Sequence, residues 1–214
     1  MLSYTGHPLL DVGVATICAF VDKPDPAALT EEDLESVARY IADNYPLDPL
    51  KSFLTVAFTT NSDYSQPAFD HQPGKRRERV ERIVGAWRRG TQTLAAACAY
   101  TGAPAALRAD RRHVPLLAGE DQFNFYPYGE AGLPVSGLAL LAVQAFPLGC
   151  AKVAGRLLAV HADDPRLTYR FARRFLQANR QAIFTAQQLG ERKLPEPAQR
   201  VTTLLVDNLL TIEE

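Results

Sequence analysis

Hydrophobic positions along the 214-residue chain gather into periodic runs separated by proline- and glycine-rich breaks. The most apolar run lies in the stretch Asp121 to Cys150, DQFNFYPYGEAGLPVSGLALLAVQAFPLGC, which opens on the aromatics Phe123, Phe125, Tyr126 and Tyr128. It turns through Gly129 and Gly132-Leu133-Pro134 and becomes a largely apolar segment that stops at Pro147 and Gly149. A membrane-spanning helix needs about 20 apolar residues. This segment is shorter and is interrupted by Pro147, so it predicts the central buried helix of a soluble domain.

The remaining runs are amphipathic. Asp11 as cap predicts a short helix over Val12 to Val21, ended by Lys23-Pro24-Asp25-Pro26. Thr30 with Asp33 three residues on resembles a capping box, and Leu34, Val37, Ala38 and Ile41 share one face of the helix that follows. Its other face is acidic and expected to be solvated, and Asn44-Tyr45-Pro46 closes it. Ser52 to Thr60, with Phe53, Leu54, Val56 and Phe58, fits either a buried strand or a short helix. Thr59 to Gly74 has the composition of a long loop, in which Asn61, Ser62, Tyr64 and Gln66 are candidates for hydrogen bonds to bases or phosphates. A basic helix is predicted from Lys75 to about Cys98. Val80, Ile83, Val84, Trp87, Thr91, Leu94 and Ala95 form its buried stripe, and Arg79, Arg82 and Arg89 lie opposite.

Beyond Cys150, Gly155 to Ala162 reads as a strand. Asp164 as cap and Pro165 at the first helical position then start a long helix that Gly190 ends. Its expected buried face is Leu167, Phe171, Phe175, Ala178, Ala182 and Leu189, with Arg166, Arg170, Arg173, Arg174 and Arg180 as a second, more dilute basic surface. A last helix runs from Glu196 to about Leu210, presenting Val201, Leu204 and Leu205. About five helices with a few short strands predict an irregular, mainly helical α+β fold in a single domain, with a subdivision near residue 160.

Composition fits this picture: 47% hydrophobic and 22% charged residues are ordinary globular values. The net charge of −1 conceals a division along the chain. Residues 1 to 74 carry 3 Lys/Arg against 11 Asp/Glu, a balance of −8; residues 75 to 112 carry 10 against 3, a balance of +7. Such a concentrated basic segment suits a polyanionic partner as well as it suits a solvated helix face. Lys75, Arg76, Arg79, Arg82 and Arg89 are its candidate phosphate contacts, because guanidinium groups grip phosphate oxygens bidentately. The N-terminus, MLSYTGHPLLDVG, lacks a basic-then-apolar leader, and Cys18, Cys98 and Cys150 are unpatterned, so a cytoplasmic setting is expected.

Motifs of catalysis are not found. Gly85 and Gly90 have P-loop spacing, but Thr91 follows where lysine is required, and the pair falls within the predicted helix. His161 with Asp163 and Asp164 suggests metal ligands only until Asp164 is read as a helix cap, and His7, His71 and His113 lack partners at ligand spacing. There is no GxSxG, no HExxH and no triad-like arrangement, which favours a non-enzymatic protein without a cofactor.

The order TGHPLLDVGVATI, NSDYSQPAF, CAYTG and NFYPYGEAGLPVSGLALLAVQAFPLG resembles the large subunit of type I CRISPR surveillance complexes, in the branch named for a CXXC-CXXC pattern. The resemblance covers most of the chain. It implies two cysteine pairs around a structural zinc, at positions that here are Cys98 with Thr101 and Ser136 with Ala139. With one thiolate left of four, no zinc is expected, and packing of Tyr100 to Gly102 against the helix start near Gly137 must replace it. It also implies a longer protein with a C-terminal helical bundle that this chain does not show.

By this resemblance the chain is a non-catalytic subunit that binds guide RNA and double-stranded target DNA. It would read the PAM, help open the duplex, contact the guide handle, and dock other effector subunits and a helicase-nuclease or transposition factors. A rival reading is a small cytosolic enzyme or ligand-binding protein for an anionic small molecule, with its pocket between Phe123 to Tyr128 and the basic helix. A third is a purely structural interaction protein.

Overall fold

A helix apolar on every side has to be surrounded by protein, and in the computed structural model Gly137–Ala145 is buried along its whole length except at Leu138. The structure describes residues 1–117, 132–195 and 200–213. Its helices are α1 (Pro8–Phe20), α2 (Glu31–Asn44), α3 (Leu50–Leu54), α4 (Pro73–Val84), α5 (Gly137–Ala145), α6 (Pro165–Leu189) and α7 (Val201–Glu213). Two antiparallel hairpins pair β1 (Leu107–Ala109) with β2 (Leu133–Val135), and β3 (Ala151–Val153) with β4 (Arg156–Leu158). The fold is α+β and mainly helical, with α5 between α1 on one side and α2 and α4 on the other, and α6 across the outer face of α1. No described helix is long and apolar enough to cross a membrane.

Two close approaches fix this arrangement. A Cβ on Gly13 of α1 would stand 2.1 Å from the Ala142 carbonyl oxygen of α5, and one on Gly137 would stand 2.2 Å from the Ala86 carbonyl oxygen. Only glycine allows backbones this near each other. The main core joins Leu10, Ile17, Val37, Ile41, Leu54, Val84, Leu140 and Leu141. A smaller cluster, Ala151, Val153, Phe171 and Phe175, seats the inner residues Leu204 and Leu205 of α7.

The capping box is present: Thr30 Oγ1 accepts the Asp33 N–H at 3.2 Å, and Asp33 Oδ2 accepts the Thr30 N–H at 2.7 Å. Asp164 caps α6 by accepting the Arg166 N–H, and Gly190 ends it in the left-handed region at φ +68°. Ser52 to Thr60 resolves into the short helix α3 and turns.

Elsewhere the sequence expectations need correction. Asp11 does not cap α1, because the helix already starts at Pro8, a residue pre-set for the first turn. Its carboxylate, 3% exposed, accepts hydrogen bonds from the Thr5 and Gly6 N–H groups at 2.7 and 2.8 Å. The basic helix stops at Val84, with Gly85 as C-cap and Gly90 at φ +84°. From there the chain runs in irregular conformation, the Leu94 N–H bonding to the Ala105 carbonyl at 2.7 Å. Val80, Ile83 and Val84 are therefore buried, whereas Thr91, Leu94 and Ala95 are exposed. Gly85 and Gly90 thus bracket a turn after a helix. The strand expected over Gly155 to Ala162 shrinks to β4, because Ala154 and Gly155 form a two-residue turn with positive φ at both positions. On α6, Ala178 and Leu189 are exposed, and Thr168, Ala172, Leu176, Ile183 and Ala186 complete the buried face. The last helix is described from Val201, and Glu196 lies outside the described residues.

Asp33 makes a pH prediction. A hydrogen bond from Lys23 Nζ at 2.6 Å, then the Thr30 N–H, hold its carboxyl down at about 2. A carboxyl depressed in the folded state adds stability that is complete above its unfolded value, about 4, and is lost as pH falls toward 2. Urea unfolding at pH 7, 4 and 2 is expected to show that loss, and Asp33→Asn to flatten it. An unchanged pH profile in the variant would remove Asp33 from the account.

Candidate nucleic-acid interface

The segment Thr59 to Gly74 has loop composition but is wrapped around two aromatic anchors. Tyr64 is fully buried, edge-on to Tyr45 and Phe58 with ring centroids at 5.1 and 5.2 Å. Its hydroxyl donates to Gln144 Oε1 at 2.6 Å, and burial pushes its pKa well above the ordinary phenol value. Gln144, itself fully buried in α5, donates from Nε2 to the His113 carbonyl, while its own carbonyl accepts from Tyr45 Oη at 2.7 Å. Phe69, the second anchor, is 5% exposed and carries the Arg79 guanidinium at 5.1 Å and the Lys75 ammonium at 5.7 Å over its ring.

Asp63 stands 1% exposed beneath this surface. Arg79 Nε lies 3.2 Å from Oδ1 and His113 Nε2 lies 3.9 Å from Oδ2. Burial lowers the His113 pKa, against the opposing pull of Asp110 and Asp63. Neither Asp63 nor His113 was singled out as a site residue from the sequence. The spacing between them carries no motif, and only the fold brings them together.

The predicted contact residues therefore divide. Ser62 and Tyr64 are withdrawn into the protein at 0% exposure and cannot meet a nucleic acid in this conformation. Arg76 is also buried, donating from Nη2 to the Gln66 carbonyl at 2.9 Å and to Asp70 at 2.7 Å, so it ties the loop to α4. Arg76 first, then Lys51, hold the Asp70 carboxyl below its ordinary range. Asn61, Lys75, Arg82 and Arg89 are exposed, and Gln66 and Arg79 are half-buried.

Much of the basic charge is answered within the chain. Arg77 meets Asp43 at 2.9 Å, Arg89 meets Glu31 at 2.8 Å, and Arg88 grips Glu35 through Nε and Nη2, both at 2.9 Å, while also reaching Glu81. The acidic face of α2, expected to be solvated, is instead a partner surface for the arginines of α4 and the turn after it. Among the described residues, Lys75 and Arg82 have no carboxylate partner in ion-pair range. They are the cations with most to gain from an external phosphate.

Behind this edge, the four positions that the resemblance gives for zinc-binding cysteine pairs converge. Thr101 Oγ1 lies 3.4 Å from Ser136 Oγ, and Ser136 caps α5 by accepting the Ala139 N–H at 3.4 Å. The Ala99 N–H bonds to the Pro134 carbonyl at 2.9 Å. Burial acts to raise the Cys98 thiol, but hydrogen bonds from Thr101, Ser136 and the Tyr100 backbone outweigh it and hold its pKa below the ordinary value. One thiol, two hydroxyls and a methyl do not make a zinc donor set, and the hydroxyls are engaged with each other and with the helix cap. The expected packing of Tyr100 to Gly102 against the start of α5 is thus realised by hydrogen bonds.

His161, weighed as a metal ligand with Asp163 and Asp164, instead places Nε2 3.1 Å from Asp11 Oδ2. Among the described residues no group of three His, Cys, Asp or Glu could hold a metal. The hollow beside α4, about 490 Å³, is lined by Glu78 and Glu81 as well as Arg79, Arg82 and Arg88, a mixed lining for an anionic ligand. The aromatic wall proposed for such a pocket, Phe123 to Tyr128, lies outside the described residues. Comparison with protein-family models, with characterised proteins and with solved structures finds no match to this chain.

Proposed function

We propose that the protein is a non-catalytic nucleic-acid-binding subunit of an RNA-guided CRISPR effector, contributing to PAM recognition, DNA opening and guide-handle contact. The observation that carries this reading is the convergence of Cys98, Thr101, Ser136 and Ala139 into one hydrogen-bonded knot. These are the positions that the sequence resemblance gives for the family's two cysteine pairs. The knot braces α5 immediately behind the turn that follows α4, where Gly137 touches the Ala86 backbone.

In this reading Lys75, Arg82 and Arg89 contact the phosphate backbone, Arg79 assists from its perch on Phe69, and Asn61 with Gln66 borders the duplex. Backbone contacts of this kind position a duplex without reading its sequence. Guide RNA, target DNA, the other effector subunits and a helicase-nuclease or transposition factors are the partners, and the cytoplasm is the setting.

Charge reversal tests the assignment. Lys75→Glu with Arg82→Glu is expected to weaken duplex binding at least tenfold, equally for all sequences, and to flatten the salt dependence by about 2 slope units. Folding should be little affected, because both side chains are exposed, neither forms an ion pair among the described residues, and Lys75 gives up only its place over the Phe69 ring. Arg79→Glu is unsuitable for this purpose, since it would set a second carboxylate against buried Asp63. Unchanged duplex affinity in the double variant would refute the assignment.

A further inference from the structure

Helix α6 carries Arg166, Arg170, Arg173, Arg174 and Arg180 and not one Asp or Glu in its 25 residues. At 100° per residue, Arg166, Arg170, Arg173, Gln177, Arg180 and Phe184 recur at spacings of three and four. They fall on a line opposite the buried Phe171, Phe175 and Ala186. All of them are exposed.

A merely solvated helix face usually mixes signs, since like charges three or four residues apart are unfavourable. The contrast lies within the same chain: α4 interleaves Glu78 and Glu81 with its arginines and borrows carboxylates from α2. On α6, Asp164 at the cap meets Arg166 at 3.3 Å and exposed Asp22 meets Arg173 at 2.9 Å, while Arg180 lies over the Phe20 ring at 5.0 Å. Among the described residues, no carboxylate forms an ion pair with Arg180. The row ends on Phe184, an aromatic ring 59% exposed on the same line.

Cations in a row, an amide and an open aromatic face match the chemistry of a single nucleic-acid strand: phosphates for the guanidiniums and a base to stack on the ring. From Arg166 to Phe184 the helix rises about 27 Å, room for several successive phosphates. We propose that this face of α6 is a second, separate binding surface that takes a single strand, its phosphates on the arginines and one base on Phe184. The contacts use groups that DNA and RNA share. The surface is distinct from the α4 edge and does not rest on the duplex-binding reading.

Fluorescence anisotropy of labelled oligo-dT and oligo-U with the full chain tests it. Arg166→Gln, Arg170→Gln and Arg180→Gln combined keep helix propensity, and are expected to lower affinity at least tenfold and to flatten the salt slope by about 2. Phe184→Ala is expected to cost about tenfold with the salt slope unchanged. Binding of either oligonucleotide with these losses supports the proposal. Wild-type affinity in both variants overturns it, as does binding of phosphatidylserine vesicles or polyglutamate through the same arginines with no binding of either strand. Lys75→Glu with Arg82→Glu should leave single-strand binding to α6 intact, so failure at one surface is distinguishable from failure at the other.

Discussion

Gly13→Ala is expected to destabilise the protein by about 3 kcal/mol, although alanine is the better helix former by about 1 kcal/mol. The added methyl would stand 2.1 Å from the Ala142 carbonyl oxygen and 2.6 Å from its carbon. Both atoms are backbone, so no side chain can rotate away, and α1 and α5 must separate along their contact. The separation loosens the core around Leu10, Val14 and Leu140, all fully buried. Gly74→Ala makes the opposite prediction: it lies in α4 with nothing within 4 Å of its added methyl, and should gain about 0.5 kcal/mol. Urea unfolding of the two variants checks both signs. A neutral Gly13→Ala would mean that the helices do not cross this closely.

Gln144→Leu is expected to cost about 3–5 kcal/mol despite its apolar surroundings. The substitution leaves the Tyr64 hydroxyl without its acceptor and the His113 carbonyl without its donor, both buried. Each orphaned group costs about 1–3 kcal/mol. Adding Tyr64→Phe removes one of those orphans, so the double variant should be more stable than Gln144→Leu alone. Measured unfolding free energies of the two single variants and the double variant form the cycle that isolates this coupling. A loss under about 1 kcal/mol in Gln144→Leu would show that water satisfies both groups.

Features written within a few residues of each other were legible in the sequence. The capping box of Thr30 and Asp33, the Asp164-Pro165 start of α6 and its Gly190 stop depend on backbone groups at most five residues away, and all three stand in the structure. The apolar segment within Gly137 to Cys150 was legible because nothing solvated can be apolar on every side.

Long-range pairing was not legible. Tyr64 sits in a turn-rich stretch, and its composition gives no hint that an amide 80 residues away accepts from its hydroxyl. The apolar period predicts a basic helix longer than the real one, because it continues through Trp87 to Leu94, while Gly85 and Gly90 end the helix before the period does. The charge division was visible, but its resolution was not. The carboxylates of Glu31, Glu35 and Asp43 and the arginines at 77, 88 and 89 are separate runs in sequence and ion pairs in space. That pairing moves the candidate contact with nucleic acid from the whole arginine row to Lys75, Arg82 and their immediate neighbours.

The central claim, a phosphate-binding edge on α4, is tested most directly by duplex affinity as a function of salt. Lys75 and Arg82 each contribute about −0.9 to the slope of log affinity against log salt, and Arg79 and Arg89, already paired with Asp63 and Glu31, add less, which predicts a value of about −2 to −3. A slope near zero, or no duplex binding by the chain either alone or within an assembled effector complex, would contradict the claim.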